Sequence, residues 1–180
     1  MNNKKRLLGF FAVVAVPILI LLLMTVKPLL ALGTGQEIAL KTKPIDPRDL
    51  LYGDYVYLSY EIEDVSEDKL DRELIKKAKS NNYGSIKMYA ILKKQGDVYT
   101  LDHITAKKPD KGVYLIGDLY AYQDYTDSKT KSYKYDANYN LDRYYVPENT
   151  GKSLEDKAQK GKLTAYVKVR NGYGILTTIK

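Results

Sequence analysis

The chain has no cysteine, no tryptophan, one histidine and two phenylalanines among 180 residues. Without cysteine there is no disulfide, no thiolate nucleophile, no thiolate metal site and no lipidated N-terminal cysteine. His103 alone cannot build a histidine metal site. On a strand its neighbour Asp102 is expected on the opposite face, so their adjacency does not read as a catalytic pair. Acidic residues are absent from the first 36 positions, whereas all 22 lie beyond them. The formal net charge of +7 therefore misleads: four of the 29 basic residues (Lys4, Lys5, Arg6, Lys27) flank an apolar run, which leaves +3 on the remainder with both signs interspersed. No basic stripe of the kind that grips phosphates is evident, and nucleic acid is not an expected partner.

What the N-terminus does have is an uncharged run of twenty residues, Leu7 to Val26. As a helix it would be roughly 30 Å long, the thickness of a bilayer's hydrocarbon core. Pro17 lies in its middle, which membrane helices tolerate. Lys4, Lys5 and Arg6 place the N-terminus in the cytoplasm by the positive-inside rule. A cleaved signal peptide ending near Ala31-Leu32-Gly33 is the rival reading. The run is longer than the ~7–15 residue core of such peptides, and Lys27 interrupts the approach to the site. The expected organisation is a cytoplasmic tip and transmembrane anchor over residues 1–32, with one extracytoplasmic domain over residues 33–180.

Gly33-Thr34-Gly35 reads as a short flexible joint, and Glu37 to Lys43 alternates as a first strand. A polar turn through Asp46-Pro47-Arg48-Asp49 leads to Gly53-Asp54. From Tyr55 strict alternation begins: Val56, Leu58, Tyr60 and Ile62 on one face, Tyr55, Tyr57, Ser59 and Glu61 on the other. Asp64-Val65-Ser66-Glu67 resembles a capping box ahead of Leu70, Leu74, Ile75 and Ala78 at helical spacing. Lys87–Lys94 and Val98–Thr105 form an expected hairpin over Gln95-Gly96-Asp97, and Val113 to Tyr122 reads as a further strand. Residues 123–149 read as irregular, although nine of the chain's 18 tyrosines fall between Tyr114 and Tyr145. Glu148 to Lys160 suits a second short helix. Leu163–Val169 and Tyr173–Ile179 flank Asn171-Gly172, a strong hairpin signal. The fold class is β-rich α+β: a transmembrane helix, then about seven strands and two short helices.

The residues Gly53-Asp54-Tyr55, then Leu58 and Tyr60, resemble the signature for which the GDYXXLXYXX family is named. Pro44 and Asp46-Pro47-Arg48-Asp49-Leu50 before it, and Tyr145-Val146-Pro147-Glu148, Gly151 and Glu155 after it, are similar to the family's surrounding pattern. One departure is Tyr52, where the resemblance implies a basic residue. The resemblance implies a membrane-anchored extracytoplasmic domain and, because members are encoded beside multi-spanning membrane proteins, a partner of that kind. It implies no particular reaction. Pro47-x-x-Leu50-x-x-Gly53-Asp54-x-Val56 is also similar to the box after the catalytic serine of type I signal peptidases. That chemistry needs a nucleophile about three residues before the proline, and Lys43-Pro44-Ile45-Asp46 holds no Ser, Thr or Cys.

Asp46, Asp49 and Asp54 could supply oxygen ligands to a cation such as Ca²⁺, but their spacing matches no calcium loop. Bonds to turn amides explain them better, and no metal or cofactor is expected. Glu63, Glu67, Asp68 and Asp71 read as a solvated acidic face. Tyr55 with Tyr57, and Tyr120 with Tyr122, form same-face rows that can stack on a sugar or grip a peptide. The expected function is non-enzymatic: a domain that binds a membrane-protein partner, or an envelope glycan or peptide, through Arg48, Asp49, Gly53, Asp54, Tyr55 and Glu148. The alternative is an envelope hydrolase using paired carboxylates such as Asp54 and Glu148, which would have to flank a cleft at about 5–10 Å.

Overall fold

The apolar run does form a helix, and it continues well beyond the first charge. In the computed structural model, which describes residues 3–44, 55–80, 84–124, 132–146, 160 and 163–180, α1 (Asn3–Thr34) runs unbroken through Pro17 and Pro28. Its portion Gly9–Thr34 is long and apolar enough to cross a membrane. The expected flexible joint at residues 33–35 is absent. Helix α1 leads through Gly35 directly into β1 (Gln36–Lys43). The Gly35 N–H donates to the Ala31 carbonyl at 2.8 Å, closing the last turn.

Further along the chain come β2 (Tyr55–Tyr57), β3 (Ser59–Tyr60), β4 (Asp64–Val65), the helix α2 (Arg72–Ser80), β5 (Ile86–Gln95) and β6 (Val98–Thr105). They are followed by β7 (Val113–Asp124), β8 (Ser132–Asn138), β9 (Arg143–Tyr145), β10 (Thr164–Arg170) and β11 (Tyr173–Ile179). The strands form a four-stranded sheet of order β11-β10-β1-β3, a five-stranded sheet of order β4-β8-β7-β5-β6, and the pair β2-β9. All the strand pairs are antiparallel. Ile38, Leu40, Ala165 and Val167 from the first sheet join Met88, Ala90, Leu119 and Ala137 from the second in one core. The β-rich α+β class stands, with eleven strands among the described residues rather than about seven.

Part of that surplus comes from the signature strand, which changes partners midway. Tyr55–Tyr57 pairs with β9, whereas Ser59–Tyr60 pairs with Thr42 and Lys43 of β1. Its alternation is real: Val56, Leu58, Tyr60 and Ile62 are all buried. The rest comes from β4, where a helix cap was expected, and from residues 123–149, expected to be irregular, where β8 and β9 lie. Tyr133, Tyr135 and Ala137 alternate with outward-facing Ser132, Lys134, Asp136 and Asn138. The expected helix over Glu148–Lys160 falls almost wholly outside the described residues.

The box Asp64–Glu67 does not cap α2. Asp64 and Val65 pair with β8, and a 3₁₀ turn over Glu67–Lys69 intervenes. The cap is Asp71, whose Oδ1 accepts the Leu74 N–H at 2.7 Å while Oδ2 accepts the Ala106 N–H at 2.9 Å. One carboxylate thus ties the helix start to the chain leaving β6. Burial pushes the Asp71 carboxyl up, but hydrogen bonds from Leu74, Ala106, Thr105 and Glu73 outweigh it and hold it below the ordinary range. Such a group stabilises the fold above its unfolded-state pKa, and that contribution is lost as pH falls through the folded-state value. Asp71→Ala should cost about 1–2 kcal/mol at pH 7. The gap to wild type should close below about pH 4, read from urea unfolding at several pH values. A gap that stays constant down to pH 2 would show that the carboxylate's charge is not the stabilising element.

Nor is Glu67 part of a plain solvated face. Glu67 accepts from Lys79 at 2.9 Å and from the Tyr135 hydroxyl at 2.9 Å, which lowers its pKa and ties the turn to α2 and β8.

Candidate functional site

Direct cross-strand neighbours in an antiparallel pair share a face, so the β2–β9 register decides what the signature strand displays. Tyr55 lies opposite Tyr145 and Tyr57 opposite Arg143, while Val56 lies opposite Tyr144. Val56 is buried, and the other face carries three tyrosines and an arginine. The Tyr55 and Tyr57 rings meet edge to face at 5.1 Å between centroids, and Tyr55 and Tyr145 at 5.8 Å. The Arg143 guanidinium carbon stands 5.5 Å from the Tyr55 ring centroid and 5.7 Å from that of Tyr57, within cation–π range. Arg143 also faces Asp142 at 3.5 Å. The Tyr55 hydroxyl donates to that of Tyr57 at 3.4 Å, and this bond raises the Tyr55 phenol above its ordinary value. Tyr145 remains 71 % exposed.

The same strand then borders a groove of about 450 Å³, lined among others by Lys43, Ser59, Glu63, Tyr120, Tyr122 and Asp136. The Tyr120 and Tyr122 rings lie on one face of β7, within 9° of parallel at 6.4 Å. Glu63 takes a very short hydrogen bond from the Ser59 hydroxyl and the Tyr60 N–H at 3.0 Å. Lys43 lies 3.8 Å from Glu63 and 2.6 Å from Asp64. Burial pushes the Glu63 carboxyl up despite these bonds, and burial likewise raises Asp136. Asp142 joins the two parts: it lines the groove, and its carbonyl accepts the Leu58 N–H at 2.8 Å. The surface is therefore aromatic and cationic at one end and acidic at the other.

Of the residues expected to form the site, the structure describes Tyr55, which takes part in the aromatic cluster. Arg48, Asp49, Gly53, Asp54 and Glu148 lie outside the described residues, as do Asp46 and the greater part of the box that resembles the peptidase sequence. Arg143, Tyr145, Glu63 and Asp136 were not expected. For Tyr145 and Asp136 the signal was present, as the alternation through β8 and the tyrosine density around β9. Leu58 and Tyr60 of the signature are scaffold: both are buried, and the Tyr60 hydroxyl donates to the Leu141 carbonyl at 2.7 Å.

The expectation for His103 needs correction. Its Nδ1 lies 2.8 Å from Asp102 Oδ2, so the two side chains do meet. The β5–β6 register shifts there, Ile91 pairing with His103 and Leu92 with Leu101. Asp102 is thus the extra residue of a bulge, which defeats the simple alternation of faces. Asp102 also pairs with Lys93 at 3.2 Å. Among the described residues no cluster of three or more His, Asp or Glu is placed to hold a metal.

Among the described residues, one long apolar helix runs directly into a β domain built of two larger sheets and the β2–β9 pair, and this defines the class of protein. The chain belongs to the GDYXXLXY protein family, whose model matches residues 17–179. No curated protein and no solved structure matches it.

Proposed function

We propose that this protein is a single-pass, membrane-anchored extracytoplasmic binding domain, which engages a membrane-protein partner or an envelope component through the outer face of its signature strand. The observation that carries this reading is the continuous surface from Tyr145, Tyr55, Tyr57 and Arg143 into the Glu63–Tyr120 groove. Exposed aromatics beside an arginine are the residues that dominate binding surfaces. The helix supplies the anchor, and the basic tip Lys4-Lys5-Arg6 favours a cytoplasmic N-terminus.

A photo-crosslinking amino acid at position 145, compared with one at position 180, tests the reading in gently solubilised membranes. A discrete adduct is expected from position 145 only. Arg143→Ala should weaken its formation about tenfold or more, the order of a hot-spot truncation. Equal labelling from both positions, or none from either, would sink the idea.

A second reading, an envelope hydrolase, rests on Glu63 and Asp136, two carboxyls raised by burial on one groove. Release of soluble fragments from purified envelope by wild type, and not by Glu63→Gln, would favour it over simple binding.

A further inference from the structure

The β10–β11 turn approaches α1 from the side. Gln36, at the start of β1, pairs with Val169 near the end of β10. The chain then continues past β1's beginning, back along the helix. Asn171 and Gly172 make the turn with φ of 51° and 81°. It is held from above: the Gly172 carbonyl accepts the Ile116 N–H at 2.8 Å, and a Cβ on Gly172 would collide with the Tyr114 ring. Two more bonds fix the helix end to β10, from Lys168 Nζ to the Leu32 carbonyl at 2.6 Å and from Arg170 to Thr34 Oγ1 at 2.7 Å.

The result is a cleft of about 220 Å³ between the turn and the helix, lined by Lys27, Leu30, Ile116, Arg170, Asn171 and Tyr173. Its height is set by the sequence. Lys27 is the first charge after the uncharged run and lies seven residues before Thr34, or about 10 Å down the helix from its end. In a chain whose residues 7–26 fill the hydrocarbon core, Lys27 stands at headgroup level, and so does the turn beside it. Lysine, arginine and tyrosine are the residues that suit this layer. The cleft has two cations and no carboxylate, and Lys27 makes no ion pair among the described residues. Tyr173 is 41 % exposed and Leu30 44 %, so an apolar wall accompanies the charge. The volume is below the ~300–1,000 Å³ typical of whole-ligand sites, which suits a headgroup whose chains remain in the bilayer.

We propose that this cleft holds the phosphate of an anionic phospholipid from the leaflet in which α1 emerges, between Lys27 and Arg170, with Tyr173 and Leu30 against its glycerol and upper acyl carbons. This rests on the anchoring part of the proposed function, and not on the binding surface. The test is native mass spectrometry of the full-length protein in detergent micelles. Short-chain phosphatidylglycerol, phosphatidylcholine and glycerol 3-phosphate are titrated separately.

One retained phosphatidylglycerol is expected, preferred over phosphatidylcholine about fivefold or more. Lys27→Gln should reduce retention about fivefold, the order expected for one basic residue at an anionic headgroup. Lys27→Arg should restore it. Lys27 is exposed on the helix, so neither change threatens the fold. Equal retention of both lipids, no effect of Lys27→Gln, or equally tight binding of glycerol 3-phosphate alone would each overturn the proposal. Carbonate extraction of native membranes reads the anchor separately. A chain that is stripped off, yet still selects phosphatidylglycerol in micelles, would refute the anchor alone.

Discussion

Tyr60→Ala should destabilise the domain by about 3–5 kcal/mol, the usual cost of emptying a large aromatic site in a core. Tyr60→Phe should lose only about 1–3 kcal/mol, the penalty for leaving the Leu141 carbonyl without its donor. Tyr60 is fully buried, and its hydroxyl reaches across 81 residues of sequence to that carbonyl. Tyr139 makes the reverse connection, donating to the Ile62 carbonyl at 2.9 Å. Burial pushes both phenols far above their ordinary values. Both bonds tie the end of the signature strand to the segment that leads into β9, next to the aromatic surface. Urea unfolding of the full-length protein in detergent, followed by tyrosine near-UV dichroism, gives the comparison. If the phenylalanine variant is as unstable as the alanine variant, the hydroxyl outweighs the ring and this account of Tyr60 is wrong.

Gly117→Ala should also destabilise the domain. Gly117 lies in β7 beside the β8 ladder. An added Cβ would stand 2.9 Å from Met88 Cε and 3.0 Å from the Tyr139 ring, with the Asn138 carbonyl oxygen nearer still. A methionine tip can move, but a strand carbonyl cannot without opening the β7–β8 pairing at Asp118–Asn138. Overpacking of this kind costs about 1–3 kcal/mol, which lowers the melting temperature by roughly 2–4 °C per kcal/mol for a domain of this size. Gly96→Ala is the control. Unlike Gly117 it has a positive φ, of 63°, and nothing lies within 4 Å of an added Cβ. Its loss should stay near the ~1 kcal/mol of backbone strain alone. Equal losses at the two positions would refute the crowding argument.

Local signals in the sequence located most of the fold, and pairing between distant segments accounts for what they missed. Asn171-Gly172 needed no context, because two successive positive-φ residues demand a tight hairpin. The face exposed by Tyr55 and Tyr57 followed from alternation alone. The change of partner between Tyr57 and Ser59 did not, since it depends on where β1 and β9 end. Strand β8 was legible in principle, but its inward positions are tyrosine and alanine, which read as polar loop beside so many tyrosines. Asp64 and Asp71 both satisfy the spacing rules for a helix cap. Only the pairing of Asp64 with β8 decides between them. The candidate surface was half visible, with Tyr55 in view and its neighbours Arg143 and Glu63 hidden by sequence distance and by burial.

The unbroken passage from α1 into β1 has a mechanical consequence. With the Ala31–Gly35 turn closed and Lys168 and Arg170 clasping the helix end, there is no swivel between rod and head. For a chain anchored as proposed, torque applied to the helix within the bilayer turns the tyrosine face through the same angle. The head can sweep around its own axis, but it cannot reach outward like a tethered domain.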